Sequence, residues 1–175
     1  MASGDTLVVF GALHNEPPDA DFATLDTILV ASADEPDDVI LVLDFDPGAT
    51  NEHAEFSAVM PRHYAGTTGI TVTLIWSSDA TTGNVKWDVA FKSVTDDADD
   101  LDTKVYAAVN TVTATTATVA GEADYAAITF TDGADMDSVA VGEYFRMRVT
   151  RDSADAADTM NSNDAELIAI EIKET

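Results

Sequence analysis

The sequence contains no cysteine and few basic residues. Its 175 residues include 8 lysines and arginines against 33 aspartates and glutamates, which gives a formal net charge of −25. Without cysteine, the chain can form neither a disulfide framework nor a thiolate metal site. Such an acidic surface repels the phosphates of nucleic acids and of anionic membranes, so we expect neither as a partner.

Long apolar runs and targeting signals are also missing. No stretch is apolar over the roughly 20 residues that a membrane-spanning helix needs. The first residues, MASGDTLVVFG, lack a basic segment followed by an apolar one, so we expect no secretory signal and a cytosolic product. Hydrophobic residues make up 46% of the chain, which is enough for the core of one domain.

The acidity has two explanations, and both stay open. The surface either meets a positively charged partner or keeps the protein soluble at high concentration. Alternatively, the chain is adapted to salty surroundings, where dissolved ions screen the repulsion between its carboxylates. Neither explanation identifies a site.

Alternation of apolar and polar residues predicts β-strands along most of the chain. It is clearest in residues 69–94, where two alternating segments flank a polar loop and place Trp76 and Trp87 on their apolar faces. We interpret this stretch as a β-hairpin. The apolar run 39–45 predicts a strand that is buried on both faces or central in a sheet. Further strands are predicted at residues 6–12, 22–30, 54–60, 110–119, 125–131, 143–151 and 164–173.

The number and spacing of these strands indicate the fold class. Eight to ten short strands with turns between them predict an all-β protein, an antiparallel β-sandwich with little helix. A jelly roll is the preferred architecture, although composition does not separate it from an immunoglobulin-like sandwich. We assign residues 1–21 to an N-terminal arm, or to a first strand with its connector, and residues 22–175 to a single jelly-roll domain. One helical turn is expected within residues 131–142, capped by Asp135 or Asp137 and ended by Gly142.

No residue pattern indicates catalysis or metal binding. His14, His53 and His63 lack a metal-binding spacing, and the chain has no nucleophile motif, P-loop or dinucleotide-binding loop. We therefore expect no enzyme activity, no catalytic residue, no cofactor and no metal. Acidic clusters occur, but chance alone produces them among 33 carboxylates, and none matches an EF-hand loop. These clusters are Asp44 and Asp46; Asp96, Asp97, Asp99, Asp100 and Asp102; and Asp132, Asp135 and Asp137.

Three of the four arginines lie on one predicted strand, residues 143–151. Arg146, Arg148 and Arg151 either pair with acidic neighbours of the same chain or lie at a subunit interface, where arginine is favoured. Pairing within the chain is the preferred interpretation, and the interface remains the alternative.

Seven stretches carry a resemblance that runs in order along most of the chain. They are residues 15–18 (NEPP), 22–27 (FATLDT), 61–66 (PRHYAG), 83–87 (GNVKW), 129–138 (TFTDGADMDS), 143–149 (EYFRMRV) and 164–167 (DAEL). The chain resembles a family of small proteins encoded in tailed-phage and prophage structural gene clusters. The resemblance implies a jelly-roll virion protein, similar to the trimeric cement (decoration) proteins of icosahedral capsids. The strong acidity of this chain departs from a typical member.

The resemblance implies a function in the virion. A homotrimer made in the host cytoplasm would bind the major capsid protein on the outer capsid surface and stabilise the shell, with residues 1–21 as an arm towards a neighbour or the shell. Arg146, Arg148 and Arg151 would then lie at a subunit or capsid interface. The alternative is a phage tail or fibre-associated jelly-roll module that binds host-surface carbohydrate. It predicts exposed aromatic residues in a groove, with Tyr64, Tyr106, Tyr125 and Tyr144 as the candidates. A glycoside-processing enzyme with paired carboxylates is a third hypothesis, supported only by the abundance of acids.

Overall fold

Ten strands form two antiparallel sheets in a computed structural model of the chain, which describes residues 4–30 and 36–175. The predicted fold class, an antiparallel β-sandwich of the jelly-roll type with little helix, is confirmed. The strands are β1 (Thr6–Gly11), β2 (Thr24–Val30), β3 (Asp38–Phe45), β4 (Glu52–Val59), β5 (Ile70–Ser77), β6 (Asn84–Val94), β7 (Asn110–Thr115), β8 (Asp124–Phe130), β9 (Tyr144–Arg151) and β10 (Ala165–Glu174).

The two sheets have different sizes. Sheet A has the order β2-β3-β10-β5-β8, and β1 also pairs with β10. Sheet B has the order β4-β9-β6-β7. The described helical elements are two three-residue 3₁₀ turns, Ala12–His14 and Ala134–Met136, so no described helix is long enough to cross a membrane.

The core lies between the facing sides of the two sheets and is rich in aromatic residues. Trp76 of sheet A and Trp87 of sheet B are both fully buried, and their rings meet edge to face with centroids 5.9 Å apart. Phe45 contacts Trp87 in a similar way, at 5.1 Å. Edge-to-face contacts add to the stabilisation that burial gives, so the two tryptophans help to hold the sheets together.

The predicted hairpin at residues 69–94 is wrong in its pairing. β5 pairs with β10 and β8 in sheet A, whereas β6 pairs with β9 and β7 in sheet B. Residues 78–83 therefore carry the chain across the sandwich. Both strands and the inward direction of both tryptophans are as predicted, because alternation specifies the faces of a strand but not its partner.

The apolar run at residues 39–45 lies inside sheet A, between β2 and β10, but it is buried on both faces only near Val42 and Leu43. Val39 is 51% exposed and Leu41 38% exposed, while Leu43 and Phe45 are buried. β10 pairs with β3 only from Leu43 to Phe45. The beginning of β3 pairs with β2. The first residues of the run therefore lie outside the core, and the strand enters it at its second half.

The predicted helical turn exists, but its boundaries differ. Gly133, with φ of 102°, precedes the 3₁₀ turn at Ala134–Met136, and Asp137 ends it in the left-handed conformation. Glycine adopts positive φ without strain, so it begins this turn in place of the expected aspartate cap. Residues 104–109 form neither strand nor helix.

Candidate functional site

The outer face of sheet B carries basic side chains on two adjacent strands, β9 and β6. On β9, Phe145, Met147 and Val149 are buried, so the alternating Arg146 and Arg148 point to the other face, as predicted. β9 lies between β4 and β6, which place further side chains beside the two arginines.

The register of the strands defines which side chains are neighbours on this face. Arg146 lies opposite Ser57 of β4 and Lys92 of β6. Arg148 lies opposite Glu55 of β4. Because directly opposite and diagonal residues on adjacent strands are within reach of one another, Glu55, Lys92 and the two arginines form one cluster.

The segment between β6 and β7 brings an aromatic ring onto this cluster. The amide of Ala107 donates to the carbonyl oxygen of Phe91 at 2.9 Å, and Lys104 Nζ binds Asp99 and Asp137, both at 3.0 Å. These contacts fix the position of Tyr106. The centroid of its ring lies 4.4 Å from Arg148 Cζ and 4.9 Å from Lys92 Nζ, within the range of cation–π interactions.

The ring and the charged cluster line a groove of about 310 Å³. Its aromatic and charged lining consists of Glu55, Lys92, Tyr106, Tyr144, Arg146 and Arg148. Val94 and the 66%-exposed Leu101 add apolar surface to it. A concave site with aromatic and apolar walls and a few fixed polar groups is the usual form of a small-ligand site.

The Glu55 carboxylate holds the two arginines in place. It is 6% exposed and accepts hydrogen bonds from Arg146 Nη2 at 2.7 Å and from Arg148 Nε at 2.9 Å. Burial alone raises the pKa of Glu55, but the hydrogen bonds from Arg148 and Arg146 outweigh it and lower the pKa. Arg146 Nη1 also binds Glu16 at 2.9 Å, at the edge of the groove. Glu55 therefore stays ionised, and the guanidinium groups are ordered before any ligand arrives.

Lys92 differs from the two arginines, since no described carboxylate lies within ion-pair distance of its ammonium group. Burial, and then the charge of Arg146, lowers the pKa of Lys92. The Tyr106 hydroxyl is buried and has no hydrogen-bond partner among the described residues. Burial raises the pKa of Tyr106 to about 12, so the hydroxyl keeps its proton and can donate it to a hydrogen bond.

The three arginines of the predicted interface occupy two environments. Arg146 and Arg148 line the groove and pair within the chain. Arg151 is completely buried, and its Nε donates to Asp158 at 3.0 Å while Nη1 donates to the carbonyl of Phe45 at 2.9 Å. Arg151 therefore offers no surface to another molecule. An interface role for Arg146 and Arg148 stays a prediction.

The four candidate tyrosines lie in different parts of the fold. Tyr106 and Tyr144 both line the groove, and Tyr144 is 38% exposed. Tyr64 is only 3% exposed and donates to Asp132 at 2.9 Å, so it belongs to the core and not to the groove. Tyr125 is 69% exposed on sheet A, away from the groove.

Sequence reasoning missed two members of the groove, Glu55 and Lys92. Alternation placed Lys92 on the outer face of its strand, but nothing local in the sequence marks β6 and β4 as the two neighbours of β9. Strand neighbours are set by long-range pairing, which a single sequence does not encode in its local pattern.

The predicted acidic clusters bind neighbouring groups of the chain. Asp99 accepts from the amide of Thr95 at 2.8 Å, and Asp135 accepts from the amide of Thr131 at 3.1 Å. Asp137 accepts from the amide of Ser93 at 2.9 Å. Within residues 4–30 and 36–175, no three histidine, aspartate or glutamate side chains are arranged to hold a metal ion.

Several solved structures are similar to this chain at very low identity, with TM-scores below 0.5. The CBM22-1 xylan-binding domain of Paenibacillus barcinonensis Xyn10C is 9% identical with a TM-score of 0.47, covering 99% of this chain and 97% of that domain. A family 30 carbohydrate-binding module of a Clostridium thermocellum cellulosomal cellulase is 8% identical with a TM-score of 0.49, covering 99% and 95%. Tailspike protein 4 of bacteriophage CBA120 is 12% identical with a TM-score of 0.37, covering 94% of this chain and 19% of that one. No protein-family model and no curated protein matches the chain.

Proposed function

We propose that the protein is a carbohydrate-binding module and that its ligand lies in the groove on the outer face of sheet B. The observation that carries this proposal is the joint presence of Tyr106 and Tyr144 in a groove whose charged side chains are already ordered. This is the arrangement that the carbohydrate alternative predicts, namely aromatic residues in a groove.

The chemistry of the groove suits a sugar. Aromatic side chains present an apolar surface for the C–H face of a pyranose, and the hydroxyl of the exposed Tyr144 adds a hydrogen-bonding group at the ring edge. Guanidinium groups donate in a fixed planar geometry, and the ionised Glu55 accepts hydrogen bonds. Because Glu55 and both arginines are ordered in advance, binding costs less conformational entropy than it would with free side chains.

The capsid-cement role implied by the resemblance stays a prediction, as do the homotrimer, the major capsid protein as partner and the virion location. Carbohydrate binding is preferred because it has a defined site within this chain. The cement role depends instead on surfaces between molecules. The two functions also place different demands on sheet B. A capsid subunit bound to the outer face of sheet B would block access of a glycan to the groove.

A glycan array with three proteins tests the proposal. We expect the wild type to bind at least one glycan class. Tyr106→Ala should bind the same glycan at least about tenfold more weakly, because an aromatic contact is worth about 1 kcal/mol beyond the area that it buries. Tyr125→Ala is the matched control, since it removes an exposed tyrosine from sheet A. Near-ultraviolet circular dichroism checks that both variants are folded. Absence of binding by the wild type, or equal losses in the two variants, would overturn the proposal.

A further inference from the structure

Five of the eight basic residues of this chain form ion pairs with its described carboxylates. Lys86 lies 2.8 Å from Asp152 and 2.7 Å from Asp155. Lys104 likewise contacts two carboxylates. With 33 acidic residues in the chain, such pairs are common, although Arg62 and Lys173 form none with the described carboxylates.

The groove departs from this pattern. It holds three cationic side chains, those of Lys92, Arg146 and Arg148, and one carboxylate, that of Glu55. Glu16 at the edge neutralises a second charge through Arg146. One positive charge therefore remains uncompensated, and it belongs to Lys92, whose ammonium group contacts the Tyr106 ring instead of a carboxylate.

Two donors remain available in the groove on adjacent strands. Arg148 binds Glu55 through Nε and Nη2, and no bond to its Nη1 is found among the described residues. Lys92 has its three donors free of described carboxylates. The two residues are diagonal neighbours across β6 and β9, since Lys92 lies opposite Arg146, two positions from Arg148. Diagonal side chains of this length can reach a common ligand group.

We propose that the groove recognises an acidic glycan, in which the carboxylate of a uronic acid residue binds Lys92 Nζ and Arg148 Nη1. This inference rests on the proposed carbohydrate function and specifies its ligand class. A carboxylate accepts hydrogen bonds from two donors at once, and charge-assisted hydrogen bonds are about twice as strong as neutral ones. The ligand carboxylate supplies the negative charge that the chain itself does not place beside Lys92.

The net charge of −25 does not prevent this interaction in physiological salt. At an ionic strength of 0.15 M the Debye length is about 8 Å, so carboxylates elsewhere on the surface are largely screened from the groove. Contacts at hydrogen-bond distance within a partly desolvated groove are screened much less. The attraction is therefore local, whereas the repulsion is long-range and weakened.

Isothermal titration calorimetry with matched ligands tests the inference. The probes are oligogalacturonate, oligomannuronate and hyaluronate oligomers, each paired with its carboxyl-reduced, neutral counterpart, and heparin oligomers serve as a sulfated series. We expect at least one acidic oligomer to bind about tenfold or more tightly than its reduced counterpart, and Lys92→Gln to remove most of that preference. Lys173→Gln is the matched control, because it changes the net charge equally on β10 of sheet A.

The outcomes separate this inference from the function on which it rests. If the acidic and reduced oligomers bind equally well, or if Lys92→Gln behaves like Lys173→Gln, the acidic-glycan inference is wrong while carbohydrate binding stands. A preference for heparin over every uronate oligomer that persists after the heparin carboxyl groups are reduced would mean that the groove selects sulfate, which also overturns the proposed carboxylate contact. If the wild type binds neither form of any oligomer nor any glycan on the array, both proposals fail.

Discussion

The buried ion pair of Arg151 and Asp158 gives the sharpest stability prediction. Arg151 is completely buried and Asp158 is 6% exposed, and the two side chains share hydrogen bonds of 3.0 and 3.1 Å. The guanidinium also donates to the carbonyl oxygens of Phe45, Asn163 and Met160. Arg151 thus joins the end of β9 to the end of β3 and to the loop before β10.

Replacing Asp158 by alanine leaves the guanidinium buried without a counter-charge. Removing one partner of a buried pair typically costs about 3–5 kcal/mol, a large fraction of the roughly 5–15 kcal/mol by which domains are stable. The backbone amide of Lys86, which donates to Asp158 at 3.2 Å, also loses its acceptor. We therefore expect Asp158→Ala to lower the free energy of unfolding by about 3–5 kcal/mol.

Urea unfolding followed by tryptophan fluorescence measures this loss, because Trp76 and Trp87 are both in the core. Asp155→Ala is the control, since it removes a carboxylate of the same loop that pairs with Lys86 at the surface. We expect a much smaller loss in this control, because surface ion pairs contribute little. A loss below about 1 kcal/mol for Asp158→Ala, or equal losses in both variants, would refute the assignment of a large energy to the buried pair.

Two further predictions concern pH and backbone conformation. Burial, and then repulsion from Asp26, raises the pKa of Asp44 from 3.8 to about 7. The folded state therefore binds the proton of Asp44 more tightly than the unfolded state, and stability is lost as the pH rises between these two pKa values. Asp44→Asn should therefore melt at a higher temperature than the wild type at pH 8, with no difference at pH 4; a pH-independent difference would contradict this. At Gly69, φ is +83° and a Cβ would lie 2.1 Å from the carbonyl oxygen of Phe130, so Gly69→Ala should lose more than about 2 kcal/mol in urea unfolding. Gly48→Ala, which meets no atom within 4 Å, should stay within about 0.5 kcal/mol of the wild type, and similar losses in the two variants would exclude the steric cause.

The sequence pattern predicts individual strands well because alternation is a local property. In β9 it places Phe145, Met147 and Val149 in the core and Arg146 and Arg148 on the other face, as the structure has them. It does not predict the partners of a strand. β5 and β6 are consecutive and alternate cleanly, yet they belong to different sheets and meet only through their side chains.

The same limit applies to the groove. The two arginines follow from alternation, but Glu55 reaches them only because β4 pairs with β9, more than 90 residues along the chain. Tyr106 was a candidate as an aromatic residue, and its segment has no regular structure that a periodic pattern could indicate. Its position depends on the hydrogen bond between Ala107 and Phe91 and on the ion pairs of Lys104.

The distribution of charge connects the stability of the fold with the proposed ligand. A chain with four times as many acids as bases can neutralise each buried or half-buried cation from within, as it does for Arg151 with Asp158. Desolvating a cation without a counter-charge is costly, and Lys92 bears part of this cost in the unliganded groove. A ligand carboxylate relieves that cost, whereas a neutral sugar leaves it in place. The discrimination between acidic and neutral glycans is therefore expected to come from Lys92, and the affinity common to both from Tyr106 and Tyr144.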